Sequence, residues 1–344
     1  MKNEVAMSTI KERDYLWDNI KALLIFFVVA GHVLEMNPVT CEFAMGADAF
    51  IYSFHMPAFI FASGYFSKNY SVDGKVRAEK AGTIFAYYII FQGLMMILRA
   101  VFGIFPENLS MFNPCSGLWY LLALFGYYLI TPIIEKLPAW LVIPASVLLA
   151  LFIANDGAAG HYFTIMRAFT FAPYYFLGYY LSGNVIKKMR SLKAYIRYPL
   201  AAVCIAGSIC SWALTPWISW MKLFFGKVNN VSLKTDFIDV SLCRLWAYGI
   251  ALLMIAALIL AMPDKKGIVA KVGQNSLQVY LLHMIIVLLL FVSDWVIIPI
   301  DTDLVFWLCM LGALATTIIL SLWFFGYPFK WIQKGVHKLY SIKK

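Results

Sequence analysis

The sequence has few charged residues. Of its 344 residues, 13% are charged and 62% are hydrophobic, and the mean hydropathy is +0.77. A soluble domain carries about 25% charged residues. A chain this apolar has too few polar residues to cover a globular surface. The composition excludes a soluble protein and favours one that crosses a membrane several times.

Several sequence motifs are absent. The six cysteines form no C-x-x-C pair, which argues against a zinc ribbon or a thiol redox site. The sequence contains no G-x-S-x-G, H-E-x-x-H, Walker or G-x-G-x-x-G motif. A nucleophile elbow, metal-dependent hydrolysis and nucleotide-driven transport are therefore unsupported, and we expect no metal.

Apolar segments of about 20 residues predict transmembrane helices. The sequence predicts an all-α polytopic protein with about ten, at residues 19–36, 47–66, 82–105, 117–134, 138–154, 162–182, 196–218, 240–262, 276–298 and 304–327. With both termini cytoplasmic, 22 of the 28 Lys and Arg residues lie on the inner side. The net charge of +10 then indicates orientation, and we expect no nucleic-acid partner. We predict a cytoplasmic leader (1–18), one membrane domain (19–327) and a basic tail (328–344).

Ionisable side chains inside the predicted spans are candidates for function because burying them in lipid is unfavourable. At 1.5 Å per residue, one group lies at a similar depth in the outer half of the membrane: His32, Glu35, His55, Arg99, Arg167 and Arg244. A second group lies nearer the cytoplasm: Lys21, Lys80, Gln274, Asn275 and His283. Each residue has a structural alternative: arginines snorkel to the interface, and buried histidines bond backbone carbonyls.

The outer group contains the side chains that acyl transfer to a hydroxyl requires. A neutral imidazole takes a proton from a hydroxyl, and arginines bind an anion or stabilise an oxyanion. We predict His32 as general base or, alternatively, as a nucleophile that forms an acyl-imidazole. Glu35, one turn further on, either orients His32 or is a solvated helix end. Arg99, Arg167 and Arg244 form the substrate or oxyanion group, to which we assign His55 and, deeper, Ser63.

Four blocks of the sequence together form a recognisable pattern. The first has Lys21, ten residues and then His32 after Ala30-Gly31, and the second runs from Ser53 to Ser63-Gly64-Tyr65-Phe66. The third is Gly117-Leu118-Trp119-Tyr120-Leu121, and the fourth is Gly273-Gln274-Asn275-Ser276-Leu277 with Tyr280-Leu281-Leu282-His283. In this order, the four blocks resemble the integral-membrane acyltransferase 3 family. Lysine at 21, and the absence of a glutamate after Trp119, move the likeness toward the fucose 4-O-acetylase-like subgroup.

This resemblance implies O-acetylation in a bacterial-type plasma membrane, with acyl-CoA, in particular acetyl-CoA, as donor. It implies a sugar or lipid-linked glycan of a cell-envelope polysaccharide as acceptor, and His32 as the catalytic residue. Lys21 is the matched basic residue near the donor, and Arg77 and Lys80 are candidates to contact CoA phosphates. Alternatively, these cations only set topology or touch anionic lipid.

Two other functions stay open at the level of sequence. A carrier or exporter of a glycan or lipid precursor would use the same cavity for passage. Carriers often show inverted repeats and broken helices; no repeat is evident, although Pro57 and Pro173 are possible breaks. A binding or sensor module would keep acyl-CoA affinity without turnover.

Overall fold

A computed structural model describes most of the chain: residues 13–37, 39–69, 71–72, 75–104, 110–155, 162–213, 224, 226, 237–292 and 299–341. Residues 1–12 of the predicted leader and 342–344 of the predicted tail lie outside the described residues. So do the ends of three predicted spans, at 105, 214–218 and 293–298.

The described chain is helical, apart from two short antiparallel strands, β1 (Ser71–Val72) and β2 (Lys75–Val76). The thirteen α-helices that it contains are α1 (Tyr15–Met36), α2 (Glu42–Phe66), α3 (Ala78–Val101), α4 (Trp119–Ile134), α5 (Ala139–Ala154), α6 (Ile165–Tyr180), α7 (Gly183–Ser191), α8 (Ala194–Ala213), α9 (Phe237–Ala261), α10 (Ile268–Gln274), α11 (Ser276–Val292), α12 (Asp303–Leu320) and α13 (Tyr327–Ser341). Helices satisfy their own backbone hydrogen bonds, as a lipid environment requires.

Each of the ten predicted segments overlaps a helix, but the helices differ in their ability to span a membrane. By length and composition, α1, α3, α9 and α12 qualify. A fifth candidate is the pair α10 and α11, which is bent by 72°. Shorter apolar stretches are α4, α5 and the Ala194–Cys210 part of α8. The count of ten spans, the cytoplasmic termini and the three-part division stay predictions.

The sequence did not anticipate the end of α12 or the bend between α10 and α11. The last predicted span runs to residue 327, whereas α12 ends at Leu320 and α13 begins at Tyr327 after a short turn. The bend before α11 lies at Asn275, whose side-chain amide donates to the backbone oxygen of Ser321, 2.8 Å away. That bond ties the bend to the end of α12.

Helix α1 is central and packs against α2, α10, α11 and α12. Helix α2 also lies along α6. The contact between α2 and α6 and the contact between α1 and α10 each depend on a glycine. A Cβ atom on Gly64 would lie 1.9 Å from the carbonyl oxygen of Tyr175 on α6. A Cβ atom on Gly273 of α10 would lie 1.7 Å from the carbonyl oxygen of Asp18 on α1. Two glycines of the family-like blocks thus let backbones meet, as small residues do between membrane helices.

Candidate active site

A cavity of about 370 Å³, which we call the His32 chamber, lies between α1, α2, α3, α4, α6 and α11. It gathers most of the outer polar group that the sequence predicts. The aromatic and polar side chains on its wall include His32, Glu35, Tyr52, His55, Arg99, Trp119, Arg167 and Tyr280. Six different helices therefore supply these aromatic and polar groups.

His32 and Glu35 form a pair one turn apart on α1. The Nδ1 atom of His32 lies 3.2 Å from Oε2 of Glu35, and the Tyr52 hydroxyl donates to the same oxygen at 3.3 Å. Because a carboxylate only accepts, this contact favours the neutral tautomer with the proton on Nδ1 and the lone pair on Nε2. The His32 side chain is 17% exposed, so it is confined but reachable. This is the arrangement that a general base requires.

Space beside the Nε2 atom of His32 comes from Gly117. A Cβ atom at this position would lie 3.5 Å from that nitrogen and 3.2 Å from the sulfur of Met284. The carbonyl oxygen of Gly117 accepts a hydrogen bond from the Tyr280 hydroxyl. The third and fourth family-like blocks therefore meet at His32, and the missing side chain leaves room for a reacting group.

His283 packs against His32, and sequence reasoning did not anticipate this contact. The two ring centroids are 5.3 Å apart, and His283 is fully buried with Nδ1 3.0 Å from the carbonyl oxygen of Val279. The sequence groups His283 with Asn275 on the cytoplasmic side. However, eight residues of α11 separate them, which is about 12 Å along a helix. That distance brings His283 to the level of the chamber.

The three predicted arginines occupy different places. Arg99 and Arg167 line the chamber, and the Arg167 guanidinium lies over the Trp119 ring, 4.8 Å from its centroid. Arg244 is buried and lines a separate small cavity behind Tyr52 and Phe171, which line both cavities. Depth in the membrane was estimated from the sequence, but the direction in which a helix faces was not.

His55 lines the chamber and is also braced by its own helix. Its Nδ1 atom lies 2.7 Å from the carbonyl oxygen of Ile51, and its ring meets the edge of Tyr52 at a centroid distance of 4.9 Å. A histidine that donates to a backbone carbonyl is the structural alternative considered for this residue. The structure shows that bond together with access to the chamber.

A second cavity of about 280 Å³, the Lys21 cavity, contains the remaining predicted residues of the first two blocks. Lys21 pairs with Asp18 at 2.9 Å, and Asp18 also accepts from Arg13 and Gln274 at 2.7 and 3.2 Å. Ser63 lines this cavity and not the His32 chamber. Its hydroxyl oxygen lies 2.7 Å from that of Tyr120.

Two side chains, Met56 and Tyr280, line both cavities. They therefore stand between Lys21 and His32. Tyr280 is buried and held by its hydrogen bond to Gly117, whereas Met56 is only partly buried and has a flexible thioether chain. Of the two, Met56 has the more flexible side chain.

Arg77 and Lys80 are exposed at the start of α3. They precede Ile84, which lines the Lys21 cavity, by seven and four residues. Residues at these spacings share one face of a helix. Lys80 therefore lies on the same face of α3 as Ile84, and Arg77 is the residue directly before the helix.

Tyr52, Met56, Trp119 and Tyr280 were not assigned roles from the sequence. Trp119 and Tyr280 belong to the third and fourth family-like blocks, so the blocks themselves were a usable signal. Tyr52 and Met56 flank His55 on α2, and no spacing rule distinguishes them from packing residues. Aromatic and methionine side chains in apolar helices are ordinary core residues.

Comparison with protein families decides the broad class of this site. A family model for an acyltransferase domain, acyltransferase 3, matches residues 14–326. The chain belongs to the acyltransferase 3 family. The match spans both cavities and helices α1 to α12, and together with the apolar helices it makes the protein an integral-membrane acyltransferase. The chain matches no curated protein and no solved structure.

Proposed function

We propose that this acyltransferase moves an acyl group, and specifically acetyl, from acyl-CoA to a hydroxyl of a sugar or lipid-linked glycan. The observation that carries the proposal is the His32–Glu35 pair, 3.2 Å apart, with free space beside the other ring nitrogen of His32. A histidine held by a carboxylate at one nitrogen and open at the other is suited to proton transfer.

In this mechanism Nε2 of His32 takes the proton of the acceptor hydroxyl, and the hydroxyl oxygen attacks the thioester carbonyl carbon. The tetrahedral intermediate collapses, the C–S bond breaks, and the CoA sulfur receives the proton from His32. Arg167 and Arg99 stabilise the oxyanion, since cations in a confined chamber act strongly on developing charge. The alternative in which His32 itself carries the acyl group passes through the same residues.

The donor enters, in this proposal, from the Lys21 cavity. Arg77 and Lys80 contact the CoA phosphates at the start of α3, and Lys21 contacts the donor deeper inside. The thioester then passes between Met56 and Tyr280 toward His32. Because both residues line both cavities, the two cavities adjoin at Met56 and Tyr280, and this supports the route.

We further propose that the enzyme is of the fucose 4-O-acetylase-like subgroup and acts in a bacterial plasma membrane on a cell-envelope polysaccharide or its precursor. Lys21 in the first block supports the subgroup, as does the missing glutamate after Trp119. Both features are sequence features, so the acceptor has to be identified by assay.

The experiment is transfer of radiolabelled acetyl from acetyl-CoA by the purified protein in vesicles, with a panel of sugars and lipid-linked glycans as acceptors. His32→Ala should abolish transfer. His337→Ala is the matched control, since His337 forms the same kind of pair with Glu79 at 2.8 Å on the exposed surface. Full turnover by His32→Ala would exclude His32 as the base or nucleophile.

The same vesicles discriminate between the functional classes. Release of the CoA thiol on addition of acceptor supports the enzyme. Uptake of the glycan without thiol release would favour the carrier, and acetyl-CoA binding without turnover on any acceptor would favour the sensor. For the donor site, Lys21→Ala should raise the KM for acetyl-CoA, whereas the exposed Lys271→Ala should not.

A further inference from the structure

Arg99 places a positive charge on the wall of the His32 chamber that no acidic side chain pairs with. It lies in the last turn of α3, and its side chain is half-buried. Among the described residues, its guanidinium forms no salt bridge and no hydrogen bond. A confined charge without a partner is unfavourable, so a cation in this position indicates an anionic ligand.

Arg99 faces the chamber and not the lipid. Ile97 and Val101, two residues before and two residues after it on α3, are 62% and 72% exposed. Met95, four residues before Arg99, is buried and lines the same chamber. Residues four apart share one face of a helix, and residues two apart do not. Because a snorkelling arginine turns to the lipid interface, this orientation favours a partner inside the chamber.

The phosphates of the donor are bound elsewhere in the proposed mechanism. The beginnings of α1, α3 and α11 line the Lys21 cavity, whereas the ends of the same three helices line the His32 chamber. Lys80, which is assigned to the CoA phosphates, is separated from Arg99 by about 28 Å along α3. The pantetheine arm that joins those phosphates to the thioester carries no charge. The charge of Arg99 is therefore left for the other reactant, the acceptor.

Arg167, the other arginine of the chamber, is placed differently. Its guanidinium lies over the Trp119 ring, 4.8 Å from the centroid, and its charge acts on the Glu35 carboxylate. Glu35 in turn lies beside His32. The charge of Arg167 is thus partly balanced, and it acts at the reacting pair, where the oxyanion forms.

Arg99 lies close to the space that the acceptor hydroxyl needs. Its charge acts on the buried thiol of Cys115, the residue directly before the short turn Ser116–Leu118. This turn contains Gly117, whose missing side chain leaves room beside Nε2 of His32. A sugar that presents a hydroxyl in this room lies next to the same turn, and Arg99 is within reach of its other substituents.

We propose that the acceptor sugar carries a fixed oxoanion, either a phosphate or a carboxylate, and that Arg99 binds this group. The planar guanidinium presents paired N–H donors that match the oxygens of either anion. The inference rests on the proposed function and gives the two arginines separate tasks. Arg167 stabilises the oxyanion, and Arg99 selects and positions the acceptor.

The first experiment measures binding without chemistry. Full-length protein in phosphatidylcholine nanodiscs, without acetyl-CoA, is titrated with glucose 1-phosphate, glucuronate and methyl glucoside, and with the three galactose counterparts, by saturation-transfer NMR. A charged sugar should bind more tightly than the neutral one, and the stronger of the two charged classes identifies the anion. Arg99→Gln should remove this preference, weakening the charged sugar about tenfold or more, as the loss of a charged hydrogen bond does. Arg167→Gln is the matched control and should keep the preference.

The second experiment compares acetyl transfer to the same sugars as a ratio of kcat/KM, charged over neutral. Arg99→Gln should lower this ratio about tenfold or more, whereas Arg167→Gln should lower both rates and keep the ratio. If Arg99→Gln does not give a monodisperse helical protein, Arg99→Lys is used instead. Lysine keeps the charge and loses the paired donors, so the ratio should fall by a smaller factor.

Three outcomes would overturn the proposal. They are equal binding of charged and neutral sugars, a preference that survives Arg99→Gln, and an affinity for phosphatidylglycerol that Arg99→Gln removes. The last outcome would assign Arg99 to a lipid headgroup. Binding of charged sugars through Arg99 without any release of CoA would support this inference and refute the proposed function. Equal acetyl transfer to charged and neutral sugars would do the reverse.

Discussion

Glu35→Gln tests whether the carboxylate next to His32 contributes to catalysis. The amide keeps the size of the side chain and removes its charge. In the native protein, Oε2 of Glu35 lies 3.2 Å from Nδ1 of His32 and accepts a hydrogen bond from the Tyr52 hydroxyl. A neutral amide oxygen would hold the ring less firmly and would stabilise the imidazolium less when His32 takes the proton.

The size of the effect follows from the exposure of the carboxylate. Two unit charges about 4 Å apart attract by about 1 kcal/mol in water and about 4 kcal/mol at the effective dielectric of a protein surface. The Glu35 side chain is 46% exposed, so solvent screens it and a value near the lower end applies. We expect a loss of about 1–2 kcal/mol of transition-state stabilisation, roughly a fivefold to thirtyfold fall in kcat.

The assay is kcat for acetyl transfer, with protein folding checked by size-exclusion chromatography. Asp48→Asn is the control. Asp48 is a partly buried acid on α2 that lies near enough to Glu35 to feel its charge, and His32 is not among its contacts in the described residues. Tyr52→Phe, which removes the hydroxyl donor to Glu35, should lower kcat less than Glu35→Gln. Wild-type kcat in Glu35→Gln would refute the orienting role.

Three further predictions concern packing, specificity and pH. Gly64→Ala should destabilise the protein by about 1–3 kcal/mol, because its Cβ atom would lie 1.9 Å from the oxygen of Tyr175; an unchanged melting temperature would disprove the close contact. Met56→Ala should raise the use of hexanoyl-CoA relative to acetyl-CoA by widening the passage, and an unchanged ratio would count against that route. The Arg190 hydrogen bond lowers the pKa of the exposed Asp264 carboxyl. Asp264 therefore stabilises the fold above the ordinary aspartate pKa of about 4 and loses that contribution as the pH falls through the lowered value. Asp264→Asn should remove this small loss from the pH dependence of the melting temperature.

Local sequence predicted where the helices lie better than where they end. Long apolar runs have few alternatives in a membrane, because an unpaired backbone group in lipid is unfavourable by several kcal/mol. The exceptions are places where a distant side chain acts on the backbone. The bend at Asn275 is held by the carbonyl oxygen of Ser321, which is far away in sequence. A local pattern does not contain that bond.

Part of the candidate site followed from the same local information. Depth in the membrane depends only on position along a helix, so His32, Glu35, Arg99 and Arg167 could be placed at one level. Whether they share a cavity depends on how each helix is rotated about its axis. Arg244 has a suitable depth but faces a separate small cavity, and Ser63 lies in the Lys21 cavity.

By itself, the sequence determined the membrane class, the helix positions, the family-like blocks and the His32–Glu35 spacing. All of these depend on composition or on residues within a few turns of each other. Only the tertiary structure decided that His283 packs on His32, that Gly117 leaves the space beside Nε2, and that Met56 and Tyr280 stand between two cavities. Those contacts join helices far apart in the chain. Glycine contacts and long-range hydrogen bonds set the rotation and the spacing of these helices. Hydrophobic periodicity in the sequence contains no information about either quantity.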